Sequence, residues 1–209
     1  MIRVIIVDDH PVVRRGLKQI IEEEPDMQVV NQAGNAHDAI SVISQTACDA
    51  VILDITLPGI SGLEVLNQLR RERPDLPVLI MSMHEEEQYA LRVLKAGASG
   101  YLMKDGIPEE LIKAIRKITS GGKYISSSFS ERLISLQEAT GKPLHENLSD
   151  REFQIMCMIA RGKALKDIGE VLCISGKTVS TYRARILEKM KIKTNADITS
   201  YALKNELIT

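Results

Sequence analysis

The chain has 209 residues, 44% of them hydrophobic and 26% charged, a composition that suits one large globular domain or two small ones. Residues 1–146 hold 16 Lys and Arg against 21 Asp and Glu, whereas residues 147–209 hold 11 against 7, so an acidic half precedes a basic half that is a candidate for nucleic-acid binding. No apolar stretch reaches the ~20 residues that span a bilayer, and the N-terminal apolar run is too short for a signal peptide. The three cysteines lack metal-ligand or disulfide spacing. Together these features predict a cytoplasmic protein with no membrane partner.

The first 120 residues alternate short apolar runs with amphipathic stretches, which predicts β-strands joined by α-helices. The runs are rich in Val, Ile and Leu without alternation, as expected for strands covered on both faces. The predicted strands lie near residues 2–8, 27–32, 49–54, 77–82 and 100–103, and the predicted helices near 11–24, 36–46, 61–72, 85–96 and 108–120. Right-handed connections make this an α/β domain, a (βα)5 doubly wound parallel sheet.

Residues 121–147 are predicted to be a linker, and residues 148–209 an all-α domain. Gly121 and Gly122 end the fifth helix, and small polar residues are frequent in the segment that follows. Four helices are then predicted, near residues 150–161, 165–172, 176–190 and 195–205. Ser149, with Glu152 three residues later, predicts a capping box at the start of the first of them.

Five polar residues stand where apolar runs end in the first domain: Asp8, Asp9, Asp54, Ser82 and Lys104. Ligands of doubly wound sheets bind beyond the carboxyl ends of the strands, so these side chains are predicted to meet at one edge of the sheet. Taken singly, the Asp pair could cap a helix and the lysine could be solvated. Their conjunction predicts an acidic pocket that accepts a phosphoryl group.

The chemistry of such a pocket assigns separate roles to the residues. Mg²⁺ prefers oxygen ligands, so Asp9 and Asp54 could bind it directly, Asp8 through water, and Thr56 through its backbone carbonyl. Asp54 ends the central strand and is therefore the natural nucleophile. The Lys104 ammonium would neutralise charge and the Ser82 hydroxyl would donate to a phosphoryl oxygen.

The segments DDHPVVRRGL, AVILDITLPGISGLEVL and VLIMSMHEEEQYALRVLKAGASGYLMKD together resemble the receiver domain of two-component response regulators, over residues 1–120. The resemblance adds a switch aromatic, Tyr101, which without it is equally well explained as a packing residue. The roles that the resemblance implies are phosphoacceptor for Asp54, metal ligand for Asp8 and Asp9, and phosphoryl contact or switch for Ser82, Lys104 and Tyr101.

The basic half contains a helix-turn-helix pattern: KDIGEVL, the turn CISG, and KTVSTYRARILEKM. At 100° per residue, Val179, Tyr182, Ile186 and Met190 share the core side of the longer helix. The opposite face carries small and hydroxyl residues flanked by basic ones, which suits a major groove, although a solvated basic helix has the same pattern. The residues predicted to face outward are Lys177, Ser180, Thr181, Ala184 and Glu188, with Arg185 on the flank. Ser180, Thr181, Ala184 and Arg185 are predicted DNA contacts, and the predicted phosphate contacts are Lys166, Lys177, Thr178 and Arg183.

The LSDRE, ARGKA and ISGKTVSTY segments, with the final helix, are similar to the LuxR-type DNA-binding domain, over residues 148–209. A receiver followed by this domain is typical of the NarL/FixJ subfamily, and the VSTYRARILEKM run is most similar to its BvgA and EvgA branch. The chain departs from the commoner pattern with Ser180 in place of Lys and Tyr182 in place of His, so the family's usual DNA site cannot be transferred. The family implies dimer contacts by the last helix, at Ala196, Ile198, Tyr201 and Ala202; packing within the domain is the alternative, and both can hold on different faces.

Together these patterns predict a transcriptional regulator controlled by phosphorylation, not an enzyme beyond the chemistry at its own Asp54. Its implied cofactor is Mg²⁺, and its implied partners are a sensor histidine kinase, double-stranded DNA, a second copy of the chain after phosphorylation, and RNA polymerase. One rival is a phosphatase that uses Asp54 as nucleophile, but such enzymes place a second acid where this chain has Thr56. The other rival is an interaction protein whose helical domain binds protein.

Overall fold

The computed structural model describes residues 1–58, 60–82, 87–104, 108–125, 143–205 and 207–208. The chain divides into two compact units, with the five strands in the first and residues 143–208 in the second. Most of the predicted linker, residues 126–142, lies outside the described part, so the domain boundaries stay a prediction. Within the described residues, no helix has both the length and the apolar character needed to cross a bilayer.

The first unit is a five-stranded parallel sheet in the order β2-β1-β3-β4-β5. The strands are β1 Ile2–Val7, β2 Met27–Ala33, β3 Ala50–Asp54, β4 Val78–Ser82 and β5 Gly100–Met103. The helices are α1 Pro11–Glu22, α2 Ala36–Gln45, α3 Gly62–Glu72, α4 Glu87–Lys95 and α5 Pro108–Thr119. The predicted doubly wound α/β fold is confirmed, with only small differences at the ends of elements.

The strand register brings the carboxyl ends of four strands into line. Val7 pairs with Leu53, Asp54 with Met81, and Ser82 with Met103, so β1, β3, β4 and β5 end at the same edge. All residues of β3 and β4 are buried, because helices cover both faces of a parallel sheet. Polar side chains at the ends of these strands therefore enter the interior of the unit.

Helix α3 begins directly against the backbone of the central strand. Ser61 caps it through a capping box with Glu64, and the Gly62 amide donates to the Ile55 carbonyl at 2.9 Å. A Cβ added to Gly62 would lie 2.8 Å from the Ile55 Cα and would also collide with the Asp54 carbonyl oxygen. Glycine is required here by close approach, not by a left-handed backbone.

The second unit is helical: a short 3-10 helix at Leu144–Asn147 precedes α6 Asp150–Ala160, α7 Leu165–Val171, α8 Gly176–Met190 and α9 Asn195–Lys204. The four predicted helices are confirmed. The predicted capping box of Ser149 and Glu152 begins α6, and a second box, of Thr194 and Asp197, begins α9. The core of the unit contains Phe153, Val179, Ile186, Met190 and Ile198, each with a relative exposure of 0%.

We expect Gly62→Ala to destabilise the first unit by about 1–3 kcal/mol, because the added methyl group meets backbone atoms that cannot move aside like a flexible side chain. Gly16→Ala is the matched control. A Cβ added to Gly16, within α1, would meet no atom within 4 Å beyond its neighbours in the helix backbone, so this variant should stabilise the first unit by about 0.5–1 kcal/mol. Urea unfolding of the full chain, followed by circular dichroism, measures both. Equal unfolding midpoints for the two variants would contradict the close approach at Gly62.

Candidate functional site

The edge where four strands end holds a buried cluster of charged side chains. Asp54 is the last residue of β3, Asp8 and Asp9 follow β1, and Lys104 follows β5. Asp8 and Asp54 are 1% and 2% exposed, which is unusual for carboxylates unless they are paired or bind a metal. The structure thus brings together the charged residues that the sequence analysis singled out.

Lys104 connects the two buried carboxylates. Its Nζ lies 2.7 Å from Asp54 Oδ2 and 2.6 Å from Asp8 Oδ2. The other oxygen of each carboxylate accepts a hydrogen bond from a backbone amide, that of Thr56 to Asp54 Oδ1 at 3.0 Å and that of His10 to Asp8 Oδ1 at 2.8 Å. Backbone and ammonium together hold both carboxyl groups in fixed orientations.

The cluster has more negative than positive charge. Burial raises the pKa of Asp54 to about 6, although the adjacent Lys104 ammonium works in the opposite direction. For Lys104, burial acts to lower the pKa, but the contacts with Asp54 and Asp8 outweigh it and the pKa is raised. Lys104 therefore stays charged. The cluster contains three carboxylates, two of which contact this ammonium, and the excess negative charge is one that a divalent cation would neutralise.

Two buried carboxylate oxygens in this cluster have nitrogen neighbours but no hydrogen bond of good geometry. Asp8 Oδ2 lies 2.6 Å from Lys104 Nζ, and Asp9 Oδ1 lies 2.7 Å from His10 Nδ1. Among the described residues, these two are the buried side-chain oxygens that lack an aligned hydrogen bond. One ligand atom from each of Asp8, Asp9, His10 and Asp54 lies within 4.8 Å of the others. This donor set fits a hard divalent cation such as Mg²⁺. The Thr56 amide donates a hydrogen bond to Asp54 Oδ1. The role of the Thr56 carbonyl as a metal ligand stays a prediction.

The sequence analysis missed His10. Its Nδ1 lies 2.7 Å from Asp9 Oδ1 and 3.3 Å from Asp8 Oδ1, and its side chain is 63% exposed at the rim of the cluster. The available signal was its position directly after the aspartate pair and before Pro11. A nitrogen donor here adds a ligand that first-row transition metals accept more readily than Mg²⁺ does.

The two predicted switch residues lie in adjacent strands. Ser82 is fully buried at the end of β4, and its carbonyl accepts the Lys104 amide at 2.8 Å. Tyr101, in β5, is 7% exposed, and its amide donates to the Tyr124 carbonyl. Both therefore lie beside the strand ends that carry the charged cluster, and their switch roles stay predictions.

In the second unit, α8 separates into the two predicted faces. Val179, Ile186 and Met190 are fully buried and Tyr182 is half-buried. The exposed residues of the helix include the predicted outward set and the flanking arginine: Lys177, Ser180, Thr181, Ala184, Glu188 and Arg185. A 15-residue helix with a small, polar outer face and basic flanks has the shape and charge that a major groove accepts.

Among the predicted phosphate contacts, Lys166 and Lys177 are exposed, but two others already have structural partners. Ser175 is the N-cap of α8, and its Oγ accepts a hydrogen bond from the Thr178 amide at 3.0 Å. Arg183 donates from Nε to Asn195 Oδ1 at 2.6 Å, which ties α8 to the start of α9. The sequence analysis did not foresee either contact.

The predicted dimer residues of α9 need a correction. Ile198 and Ala202 are completely buried in the core of their own unit, and the Tyr201 hydroxyl lies 3.0 Å from His145 Nδ1. These three side chains therefore pack within the unit, and only Ala196 of the predicted set is exposed. The outer side of α9 carries Leu203 instead, a large apolar residue with 54% exposure.

Comparisons with known proteins agree with both halves of the structure. Residues 4–116 match the response regulator receiver domain family, and residues 146–202 match the family of bacterial regulatory proteins of the luxR type. The chain is 37% identical to the response regulator UvrY of Escherichia coli K12, across 99% of this chain and 96% of that protein. It is 36% identical to the response regulator GacA of Pseudomonas aeruginosa, across 100% of this chain and 98% of that protein.

Two solved structures extend the comparison. A LuxR-family two-component response regulator from Aurantimonas is 35% identical with a TM-score of 0.64, over 66% of this chain and 99% of that one. RcsB of Salmonella enterica serovar Typhimurium, bound to the rprA promoter with the phosphomimetic BeF3⁻, has a TM-score of 0.66 over 96% of this chain and 98% of that one. RcsB is only 22% identical, so this second likeness concerns the fold alone. The likeness of the VSTYRARILEKM run to BvgA and EvgA stays a prediction.

We expect Lys104→Met to cost about 3–5 kcal/mol of stability at pH 7 in the presence of a chelator, because it leaves two buried carboxylates without their ammonium. The loss should shrink at pH 5. The pKa of Asp54 is already raised to about 6, so the folded state binds its proton more tightly than the unfolded state, and protonation removes the buried charge. Urea unfolding at both pH values measures this, and adding Asp54→Asn to the variant should restore part of the loss. A penalty that is equal at the two pH values would contradict it.

Proposed function

The chain belongs to the NarL/FixJ family of two-component response regulators, which join a receiver domain to a LuxR-type DNA-binding domain, and we propose from this membership that phosphorylation of Asp54 controls its binding to DNA. It is a regulator of transcription. The observation that carries the proposal is the position of Asp54: a carboxylate buried at the end of the central strand, 2.7 Å from the Lys104 ammonium. We assign residues 1–120 to the receiver, 121–147 to the linker and 148–209 to the DNA-binding domain.

The phosphoryl group would come from a phosphohistidine of a sensor kinase. An Asp54 carboxylate oxygen forms a bond to phosphorus while the bond from phosphorus to the histidine nitrogen breaks, and the imidazole leaves. Such transfer requires positioning and charge neutralisation more than covalent chemistry by the protein. The hydrogen bond from Thr56 and the contact with Lys104 supply positioning, and the ammonium compensates part of the new charge. Later hydrolysis of the acyl phosphate returns Asp54 to its first state.

Mg²⁺ is the cofactor that the donor set supports best. Asp9 and Asp54 would hold it directly, Asp8 through water, and the Thr56 carbonyl would add an oxygen ligand. When bound, it supplies positive charge to the phosphoryl oxygens. This assignment is supported by the excess negative charge of the cluster and by the closeness of the Asp8, Asp9 and Asp54 carboxylates, whose ligand atoms lie within 4.8 Å of one another.

Phosphorylation would act on the two strands beside Asp54. The phosphoryl group adds about −1.5 to −2 charge and three acceptor oxygens. A donor hydroxyl from Ser82 would turn towards it, and Tyr101 would change its packing behind Ser82. Both residues are buried, so such a change must repack their surroundings, and it shifts an equilibrium between two arrangements.

The partner of the second unit is double-stranded DNA, with α8 in the major groove. The exposed small-residue face of this helix and the basic Lys177 and Arg185 beside it support that assignment. We further propose that two phosphorylated chains meet through the exposed side of α9, which carries Ala196, Ser200 and Leu203. A two-fold pair of recognition helices then matches a two-fold DNA site, to which RNA polymerase would respond.

Removing a metal ligand should weaken Mg²⁺ binding without unfolding the receiver. We expect Asp9→Asn to lower the affinity for Mg²⁺ about tenfold or more. The measurement is the rise in melting temperature across a MgCl₂ titration, because a ligand of the folded state stabilises it by mass action. Asp75→Asn, an exposed carboxylate before β4, is the control and should respond like the unchanged protein. If both variants respond alike, Asp9 does not bind the cation.

The proposed function is tested by duplex binding of the full chain, with and without an acyl-phosphate donor and Mg²⁺. We expect the donor to raise affinity for the unchanged protein and to have no effect on Asp54→Ala, because that variant lacks the accepting carboxylate. Asp38→Ala, an exposed acidic residue of α2, serves as control and should retain the response. Equal affinities of all samples would mean that Asp54 does not gate DNA binding.

The same assay separates DNA binding from the rival of a protein-binding helical domain. Cations on DNA phosphates release counterions, so the logarithm of the binding constant should fall linearly with the logarithm of the salt concentration. Lys177→Ala should reduce the slope by about one, whereas Lys113→Ala, on the exposed side of α5, should not. Absence of any salt dependence would favour the rival.

A further inference from the structure

The outer face of α8 contains two hydroxyl groups that are already engaged by their own helix. Ser180 Oγ donates to the Gly176 carbonyl at 2.9 Å, and Thr181 Oγ1 donates to the Lys177 carbonyl at 3.1 Å. Each hydroxyl has one proton, so neither can donate to a base edge without breaking this bond. Both residues are nevertheless exposed on the face proposed to enter the groove.

Once its hydroxyl is held in this way, Thr181 differs from Ser180 by one group, the γ-methyl. A threonine in a helix whose oxygen bonds the carbonyl four residues back has a fixed χ1 angle, so its methyl group is fixed as well. Ala184 is exposed three residues later and offers a second methyl group on the same side of the helix. The face therefore presents two neighbouring apolar groups between the basic residues Lys177 and Arg185.

One base carries a matching apolar group in the major groove. Thymine presents its 5-methyl group there, and the other three bases present hydrogen-bonding atoms without it. Small apolar side chains contact this methyl group directly. Basic residues on either side fix the helix on the DNA backbone without reading sequence.

We propose that Thr181 and Ala184 read the 5-methyl groups of thymines in the half-site, by apolar contact and not by hydrogen bonding. The inference rests on the proposed DNA binding and names the specificity of that same surface. It makes the Thr181 methyl group the specificity determinant, and gives the Thr181 hydroxyl the role of a clamp that holds the side chain in one rotamer. Ser180, engaged in the same way but without a methyl group, reads no thymine methyl.

The test uses DNA from which only the methyl group has been removed. Full-length protein, phosphorylated with an acyl-phosphate donor and Mg²⁺, first selects duplexes from a random pool. Each thymine of a recovered duplex is then replaced singly by deoxyuridine, and binding is measured at constant salt. We expect about a three- to tenfold loss of affinity at one or two thymines of each half-site, and equal affinity at the other positions.

Two variants of Thr181 separate methyl from hydroxyl recognition. Thr181→Val keeps methyl groups and removes the hydroxyl, so the preference for thymine over deoxyuridine should persist. Thr181→Ser keeps the hydroxyl and removes the methyl group, so the preference should disappear at one thymine. Lys113→Ala, on the exposed side of α5, is the control and should retain the full preference, whereas Ala184→Gly should lose the preference at the neighbouring thymine. Circular dichroism verifies that each variant is folded.

The outcomes distinguish a failure of DNA binding from a failure of methyl recognition. If no duplex is recovered from the pool, the proposed function fails, and the inference fails with it. If duplexes are bound but deoxyuridine is tolerated at every position, DNA binding stands and methyl recognition is wrong. If Thr181→Ser keeps the preference and Thr181→Val loses it, the hydroxyl reads the base, and the inference is overturned.

Discussion

The ion pairs of the Lys104 ammonium with two buried carboxylates are the interaction on which the first unit depends. Lys104 follows β5, while Asp8 and Asp54 belong to the ends of β1 and β3, so one side chain joins three parts of the sheet. Carboxylates buried to this degree stay ionised only when they have charged or hydrogen-bonding partners, and one ammonium does not neutralise all the negative charge of the cluster. The proposed cation and phosphoryl group would therefore act on the same charges that hold these three strands together.

The architecture of the first unit could be predicted from sequence because four of the five strands, β1, β3, β4 and β5, are compact apolar runs that end at or just before a polar residue. Burial on both faces removes alternation, and the topology of parallel sheets places the ends together. The same reasoning predicted that Lys104, Asp8 and Asp54 meet at one edge, but not that the ammonium forms ion pairs with both carboxylates. The position of the His10 ring could not be predicted, since it depends on the rotamer of a rim residue at the start of α1 rather than on any strand pattern.

In the second unit, the periodicity of apolar residues does not always identify which face of a helix is buried. Helix α9 has apolar residues on two sides, and the sequence pattern alone does not tell which side meets the core. Ile198 and Ala202 turned out to face the core, and Leu203 faces outward. Contacts with residues distant in sequence accompany this arrangement: Tyr201 contacts His145, before α6, and Asn195 accepts a hydrogen bond from Arg183. On α8 one apolar stripe was unambiguous, and there the division into faces was correct.

The contact of Gly62 with the central strand has a mechanical consequence. Helix α3 abuts the peptide units of Asp54 and Ile55 with no space for even one methyl group, and the Gly62 amide is bonded to Ile55. A close-packed wedge of this kind does not yield to small forces. If Asp54 accepts a phosphoryl group as proposed, we expect the side of Asp54 that faces α3 to move little and the side that faces β4 and β5 to move more. We therefore expect the fixed start of α3 to direct any change of structure towards the ends of β4 and β5.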